Sequence, residues 1–412
     1  MMMKTKLSYK DLVLYTLCGS KAEITPCFYI VFKDNIDQNK LNEAVKKSLE
    51  LYPLMNCGII YDKGYYFETI NKPYPIYNCK EENRPRSFKK DGNGYLWLIS
   101  YYENKLYIDV SHSLSDGRGW MNFITTIINS YFGVVSVEHS IEDKYMEDVI
   151  DINAKGYFKK KQKNGYKRSD IDYVKNRDDV ANLHLLVTDM KQVLDAAHKI
   201  EASPVTVLAP LFSQTLREFI KYNAKNKSVS CIVPVDTRSI FNYDSFHNSV
   251  SEAYFTYIDK FDDIDISKLS TIYRAMLDLQ VQPESISEYI FKQKKMYLSI
   301  LKLVNSFTIK IISKIAGWVG KQTQCNFVLT YLGKMNFNPI IYQNIEKIYW
   351  RSWHQFQDCN IAAVDFNNKL YIAITENYSK GNEIVNNFIN RCKNIGIDIK
   401  EIENKEVFQV LY

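Results

Sequence analysis

Hydrophobic residues in the first third of the chain recur with two periods, one typical of strands and one typical of helices. Residues 25–32 (TPCFYIVF) are rich in β-forming residues and predict a strand. From Asp37 onward, apolar residues recur every three or four positions, which predicts a helix that Asp37 caps and Pro53 ends. A second long helix is predicted at 120–131. Alternating segments between the two helices predict strands at 58–61, 65–70, 95–101 and 105–110.

The second half of the chain repeats this mixture of strands and helices. Helices are predicted at 189–200, at 204–219 with Pro204 in the first turn, across 267–315 and at 382–392. Strands are predicted at 183–188, 229–233, 253–258, 325–331, 345–351, 359–366 and 369–375. Strands mixed with covering helices in both halves indicate an α/β protein, an α+β two-layer sandwich, with two similar lobes.

A basic segment separates the two halves. Residues 155–177 (KGYFKKKQKNGYKRSDIDYVKNR) are rich in Lys and Arg and poor in aliphatic side chains. We therefore predict a first lobe at 1–154, a basic connecting segment at 155–180 and a second lobe at 181–412. The basic residues either form a solvated linker or attract a phosphate-bearing donor or an anionic surface, and the sequence leaves both interpretations open.

Composition narrows the class of protein. Of 412 residues, 46% are hydrophobic and 24% charged, which is typical of soluble globular proteins, and a net charge of +6 is too modest to predict nucleic-acid binding. The eight cysteines include no CxxC pair, and the N-terminal residues lack the apolar core of a signal peptide, so we expect free thiols in the cytoplasm. No uncharged apolar run reaches about 18 residues, so no membrane-spanning helix is expected.

The amphipathic stretch 298–318 is predicted to pack in the core. The alternatives are weak contact with a membrane surface and lining of an apolar acceptor channel.

Histidines with an aspartate four positions later are the candidate chemical groups. Three of the six histidines have this spacing, in the pairs His112–Asp116, His139–Asp143 and His354–Asp358. Only the first pair follows a predicted strand, precedes a helix and has a glycine, Gly117, directly after the aspartate. The other two pairs are expected to be structural. No partner pattern accompanies the remaining histidines, His184, His198 and His247.

Five segments of the chain resemble one family of acyltransferases. SHSLSDGRG (111–119) resembles the HxxxDG motif of the superfamily of chloramphenicol acetyltransferase, nonribosomal-peptide condensation domains and BAHD enzymes. Residues 41–59 resemble its opening helix, and VSCIVPVDTR (229–238) resembles its PVDxR segment. FHN (246–248) resembles the following G-N turn, with histidine where glycine is usual, and VLTYLGKM (328–335) resembles the bridging strand. The order and spacing fit nearly the whole chain and are most similar to bacterial alcohol acetyltransferase-like enzymes.

The resemblance implies a fold and a mechanism. Two chloramphenicol-acetyltransferase-like lobes would form a pseudodimer with a tunnel between them. His112 would act as the general base that takes the proton of a small alcohol or amine as it attacks a thioester. Asp116 would pair with Arg238 and, together with Gly117, support the site. The co-substrate would be acyl-CoA or the acylated phosphopantetheine of a carrier protein. No permanently bound cofactor and no metal site are expected, because a thiolate is already a good leaving group.

Two departures from the family pattern argue against peptide-bond formation and against a plant-type BAHD activity, but not against simple acyl transfer. Condensation domains usually carry two adjacent histidines, and Ser111 occupies the first of these positions; a DFGWG motif near the C-terminus is also missing. Ser111, Ser113 and Ser115 lie outside any GxSxG context and are not expected to act as nucleophiles. The alternatives are a carrier-protein-dependent condensation enzyme, a non-catalytic binding protein that keeps the fold, and a metal-dependent hydrolase.

Overall fold

The computed structural model describes residues 4–18, 25–134, 144–150, 180–220, 228–301, 325–352, 357–378 and 381–408. The strands of these residues are β1 (Lys4–Lys6), β2 (Cys27–Phe32), β3 (Cys57–Tyr61), β4 (Tyr65–Thr69), β5 (Ile76–Asn78), β6 (Trp97–Tyr102), β7 (Lys105–Val110), β8 (Val180–Asp189), β9 (Val229–Asp236), β10 (Val250–Tyr257), β11 (Phe327–Lys334), β12 (Ile345–Arg351), β13 (Cys359–Phe366), β14 (Lys369–Glu376) and β15 (Lys400–Phe408). The α-helices of these residues are α1 (Tyr9–Cys18), α2 (Gln38–Leu51), α3 (Phe88–Asp91), α4 (Gly117–Tyr131), α5 (Met146–Val149), α6 (Met190–Lys199), α7 (Pro204–Glu218), α8 (Arg238–Phe241), α9 (Ile266–Gln280), α10 (Pro283–Leu301), α11 (Pro339–Asn344) and α12 (Gly381–Asn394).

These strands form two large sheets and one small sheet. The five-stranded sheet has the order β12-β2-β7-β6-β5, and the seven-stranded sheet has the order β10-β9-β11-β13-β14-β8-β15. The small sheet has the order β1-β4-β3. Although β12 belongs to the second half of the chain, it pairs antiparallel with β2, placing Tyr349 opposite Tyr29. One strand of the second half therefore completes the sheet of the first.

The helix α2 shows how local sequence determines an element. The Asp37 carboxylate accepts hydrogen bonds from the backbone N–H groups of Asn39 (2.8 Å) and Lys40 (3.0 Å), which have no partners inside the helix. Its apolar face, including Leu41 and Val45, is buried. The predicted cap and amphipathic face are both confirmed.

Buried apolar side chains gather in two large clusters. The first cluster combines the five-stranded sheet with α2 and α4, and Trp120 of α4 is fully buried in it. Leu185 of β8 and Ala373 of β14 also belong to the first cluster, so the two large sheets pack against each other. The second cluster joins the other side of the seven-stranded sheet to its helices, with Phe212 of α7 edge-on to Phe388 of α12 at 5.2 Å.

Most predicted elements occur where the hydrophobic pattern indicated. The predicted strands 105–110, 345–351 and 359–366 match β7, β12 and β13 to the residue. The predicted start of α4 is wrong by three residues: the helix begins at Gly117, because Asp116 caps it. Neither α1 nor β15 was predicted. In β15 the sequence KEIENKEVF contains few apolar residues, and the strand lies at the edge of its sheet, where little apolar surface needs covering.

Two predicted segments lie largely outside the described residues. The connecting segment 155–180 is described only at Val180, where β8 begins, and the stretch 298–318 only as far as Leu301, where α10 ends. The boundaries of the two lobes remain predictions. Among the helices that the structure describes, we find none with the length and apolar character needed to cross a membrane.

Candidate active site

The loop between β7 and α4, residues 111–116, carries the predicted site. Three buried serines hold this loop. Ser111 and Ser113 share a hydrogen bond of 2.7 Å between their hydroxyl oxygens, and the Ser115 hydroxyl donates to the backbone carbonyl of Phe246. The indole N–H of Trp120 donates to the Ser111 carbonyl oxygen at 3.2 Å. The serines are thus occupied in supporting the loop.

His112 lies in the middle of this loop and is half-buried. Its Nδ1 is 3.0 Å from Oδ1 of Asn248, and the Asn248 Nδ2 group donates to the His112 carbonyl oxygen at 3.0 Å. Burial lowers the pKa of His112 below its usual value, because a charged imidazolium loses solvation there. A hydrogen bond to the backbone carbonyl group of His112 itself, the charge of Asp116 and the contact with Asn248 only partly offset burial, and the Lys10 ammonium lowers the pKa further. His112 is therefore a neutral imidazole at neutral pH.

Asp116 is fully buried and joins the loop to both halves of the chain. Its Oδ1 accepts hydrogen bonds from the backbone N–H groups of Arg118 and Gly119, both at 3.0 Å, which caps α4. Its Oδ2 accepts one from the Ser249 N–H at 2.7 Å and lies 3.0 Å from the Arg238 guanidinium. Burial alone would raise the pKa of Asp116, but Arg238 and these amides outweigh it and hold the pKa below its usual value. The carboxylate therefore stays ionised, and it binds Arg238 and Ser249 in the second half of the chain.

Arg238 uses its guanidinium to organise the segment that faces this loop. Besides Asp116, it donates to Asp236 Oδ1 at 2.9 Å and to the carbonyl oxygens of Ser245 (2.8 Å) and His247 (2.9 Å). Burial opposes its charge, yet the carboxylates of Asp116 and Asp236 raise its pKa. The structure thus brings together the predicted residues Asp116 and Arg238, and the ion pair ties the His112 loop to residues 236–249.

The two glycines after Asp116 allow close packing. A Cβ atom added to Gly117 would lie 2.6 Å from a methyl carbon of Leu332, in the β11 segment. A Cβ atom added to Gly119 would lie 2.6 Å from the carbonyl oxygen of Phe246 and would also overlap the Ser115 hydroxyl. Both glycines therefore serve close approach, and neither has a positive φ.

Two residues near His112 were not predicted to belong to the site. Asn248 contacts the imidazole directly, and Asp11 of α1 accepts a hydrogen bond from Asn248 Nδ2 at 2.8 Å. The sequence pattern that could have predicted α1 is a capping box, Ser-x-x-Asp. In the structure the Ser8 hydroxyl accepts a hydrogen bond from the Asp11 N–H, and the Asp11 carboxylate accepts one from the Ser8 N–H. This pattern predicts where α1 starts, although it does not indicate what Asp11 contacts.

Solved structures place this architecture among known folds, whereas no family model and no curated protein sequence matches the chain. Polyketide synthase associated protein 5 from Mycobacterium tuberculosis is 14% identical, with a TM-score of 0.65 over 95% of this chain and 98% of its own. TRI101 of F. graminearum, solved with ethyl coenzyme A, is 8% identical, with a TM-score of 0.61 over 97% of this chain and 100% of its own. The condensation domain of the monacolin K polyketide synthase MokA is 8% identical, with a TM-score of 0.60 over 96% of this chain and 97% of its own.

The chain has the condensation-domain fold. The fold that the sequence resemblance implied, mixed α/β with two lobes, is thereby confirmed. Within this condensation-domain fold, the His112 loop follows a strand of the five-stranded sheet and is bound from the other half of the chain through Arg238 and Ser249.

The histidines of the other two HxxxD pairs cannot be compared with His112. His139 and His354 lie outside the described residues. Asp358, the predicted partner of His354, is buried and accepts hydrogen bonds from Asn326 Nδ2 (2.8 Å) and from the Tyr378 hydroxyl. Within the described ranges, we find no group of three His, Cys, Asp or Glu side chains that could hold a metal ion.

Proposed function

We propose that this protein is an acyltransferase that moves an acyl group from a thioester, acyl-CoA in the first instance, to a small alcohol or amine. His112 is the general base. As it takes the proton from the acceptor, the acceptor oxygen or nitrogen bonds to the thioester carbonyl carbon. The C–S bond then breaks, and the departing sulfur takes the proton from the imidazolium. General-base assistance of this kind is typically worth about 10²–10⁴-fold in rate.

The observation that carries the proposal is a neutral, partly exposed imidazole on a rigid loop. Burial and Lys10 keep the pKa of His112 low, so the ring can accept a proton at neutral pH. Asp116 is fully buried and ion-paired, so it supports the loop and does not meet the substrate. The fold shared with TRI101, which was solved with ethyl coenzyme A, supports a CoA thioester as the donor. On this proposal the substrates meet at His112 in a tunnel between the lobes.

The direct test is thiol release. Purified protein would be incubated with a panel of acyl-CoA thioesters and with pools of small alcohols and amines, and free thiol followed spectroscopically. We expect release that depends on an acceptor and falls at least about 10²-fold in His112→Ala. His139→Ala and His354→Ala are matched controls, since each removes the histidine of an HxxxD pair, and both should keep their activity. Near-wild-type turnover by His112→Ala would remove the general-base role.

A carrier-dependent condensation reaction is the second candidate, favoured by the shared condensation-domain fold. Against a condensation reaction, Ser111 occupies the first histidine position of the condensation-domain motif. It is buried, and its hydroxyl is hydrogen-bonded to that of Ser113. The same assay with an acylated carrier protein in place of acyl-CoA separates the two candidates. Faster release from the carrier would favour condensation. Binding of acyl-CoA without any acceptor-dependent release would indicate a non-catalytic binding protein.

A further inference from the structure

We propose that Asn248, anchored by Asp11, is the positioning residue that holds His112 in the tautomer protonated on Nδ1. In this tautomer Nε2 carries the lone pair and is the nitrogen that accepts the substrate proton. The inference deepens the proposed function and rests on it only for the role of His112 as a base.

The orientation of the Asn248 amide follows from its partners. Its Nδ2 lies 3.0 Å from the carbonyl oxygen of His112 and 2.8 Å from Oδ1 of Asp11. A carbonyl oxygen carries no proton and can only accept a hydrogen bond, so the group that faces the His112 carbonyl oxygen must be the NH₂ group of Asn248. The NH₂ group must therefore point toward these two oxygens, which leaves Oδ1 toward the His112 ring.

The amide orientation in turn selects the imidazole tautomer. His112 Nδ1 lies 3.0 Å from Oδ1 of Asn248, and an amide oxygen can only accept. The proton of a neutral His112 must then reside on Nδ1, and Nε2 is left unprotonated. A ring with the opposite tautomer would place two lone pairs against each other at this contact.

The anchor of Asn248 lies on α1. Asp11 is fully buried, and its carboxylate binds Asn248 through Oδ1 and the Ser8 N–H through Oδ2. His247 Nδ1 lies 3.9 Å from Oδ2 of the Asp11 carboxylate. Lys10, the residue before Asp11 in α1, donates to the carbonyl oxygen of Val250. The helix α1 thus binds the segment that carries Asn248 at two points.

The test measures the tautomer directly, without any substrate. Protein labelled with ¹⁵N-histidine would be studied by NMR, where protonated and unprotonated imidazole nitrogens have distinct shifts, and His112→Gln identifies the His112 signals. We expect Nδ1 to be protonated in the wild type. In Asn248→Ala the two tautomers should mix, and kcat for thiol release should fall at least about tenfold, within the range of general-base assistance, with little change in KM.

Variants of the anchor separate positioning from folding. Asp11→Ala should mix the tautomers less strongly than Asn248→Ala, whereas Asp11→Asn should keep the wild-type tautomer, since its amide oxygen can still accept from Asn248. Asp244→Ala is the control in the preceding turn: it removes an exposed carboxylate that accepts a hydrogen bond from the Ser245 N–H (2.9 Å), and it should leave the His112 tautomer unchanged.

One result would overturn the inference: the wild-type tautomer persists in Asn248→Ala. That result would mean that the hydrogen bond to the backbone carbonyl group of His112 is sufficient to keep the proton on Nδ1. Should Asn248→Ala fail to fold, the comparison of Asp11→Ala with Asp11→Asn decides in the same way. If the wild type releases thiol from no donor, the proposed function fails, but the NMR result still decides the tautomer.

Discussion

Asp116 and Arg238 lie 122 positions apart in the sequence and form a buried ion pair, with 3.0 Å between Oδ2 and Nη2. The same carboxylate caps α4, and the same guanidinium holds the carbonyl oxygens of Ser245 and His247. The pair therefore connects the loop that carries His112 to the segment that carries Asn248. It fixes how these two segments lie against each other, and on our proposal it takes no direct part in the chemistry.

A double-mutant cycle should show that these two charges depend on each other. Arg238→Gln should lower the free energy of unfolding by about 3–5 kcal/mol, because it leaves the buried Asp116 carboxylate without a cation. Asp116→Asn should lower it less, because Asp236 still lies 2.9 Å from the Arg238 guanidinium. The double variant should lose clearly less than the sum of the two. Urea denaturation of the four proteins measures the coupling. The exposed pair Lys191–Asp195 is the control, and Lys191→Gln and Asp195→Asn should be additive. Additive losses at Asp116 and Arg238 would contradict an energetic link.

The pH dependence of activity should report the low pKa of His112. Burial and Lys10 lower this pKa below 6.5, and only the neutral imidazole can accept a proton. Thiol-release kcat/KM should therefore rise with pH through a midpoint below 6.5 and be flat across neutral pH. The residual rate of His112→Gln should lack this rise. A midpoint above 6.5 would be inconsistent with the surroundings of His112.

The two glycines after Asp116 should respond differently to alanine. Gly119→Ala meets a backbone carbonyl oxygen, that of Phe246, which cannot move without the turn, so we expect a loss of about 1–3 kcal/mol in the free energy of unfolding. Gly117→Ala meets a methyl group at the end of the half-buried Leu332 side chain, which can rotate away. Thermal melts should rank Gly119→Ala as the more destabilising change. The reverse order would show that the β11 segment is the more rigid neighbour.

Stability should depend on pH through a histidine far from the site. His184 is fully buried, with Nδ1 2.8 Å from Glu401 and Nε2 3.2 Å from Glu376. Burial opposes its charge, but hydrogen bonds to the two carboxylates raise its pKa above 6.5. The folded protein then holds a proton that the unfolded chain releases, so this stabilisation is complete below pH 6.5 and is lost as pH rises through the raised pKa.

Urea midpoints between pH 6 and 9 would measure this effect. The wild type should lose up to about 1.4 kcal/mol per pH unit within the window where only the folded state binds the proton. His184→Gln should flatten that slope, and replacing the exposed His198 with Gln should leave it unchanged. An unchanged slope in His184→Gln would mean that the histidine is neutral in the folded protein.

Features that depend on neighbouring residues could be predicted from the sequence. The cap at Asp37, the buried face of α2 and most strands follow from spacing within about ten positions, because the period of an element is a local property. The approach of Asp116 to Arg238 was expected only from a resemblance to a family, since nothing local relates the two positions.

Contacts between distant segments could not be predicted in this way. Asn248 reaches the His112 carbonyl oxygen across 136 positions and the Asp11 carboxylate across 237, and no periodicity relates these residues. His184, which has no partner pattern in the sequence, lies between carboxylates that are 192 and 217 positions away. Such partners are determined by sheet order: β8, which carries His184, lies between β14 and β15, which supply the two glutamates.

The insertion of β12 beside β2 has a consequence for synthesis of the chain. Every residue of β2 is buried in the finished protein, and its second neighbour in the sheet is β12, which pairs Phe28 with Trp350. A ribosome has to translate the 312 residues between Phe32 and Ile345 before that neighbour exists, so β2 emerges first and has one edge with unpaired backbone groups until then. The five-stranded sheet stays incomplete until β12 has been made. A nascent or truncated chain that stops before Ile345 therefore presents a hydrophobic edge to chaperones or to other copies of itself.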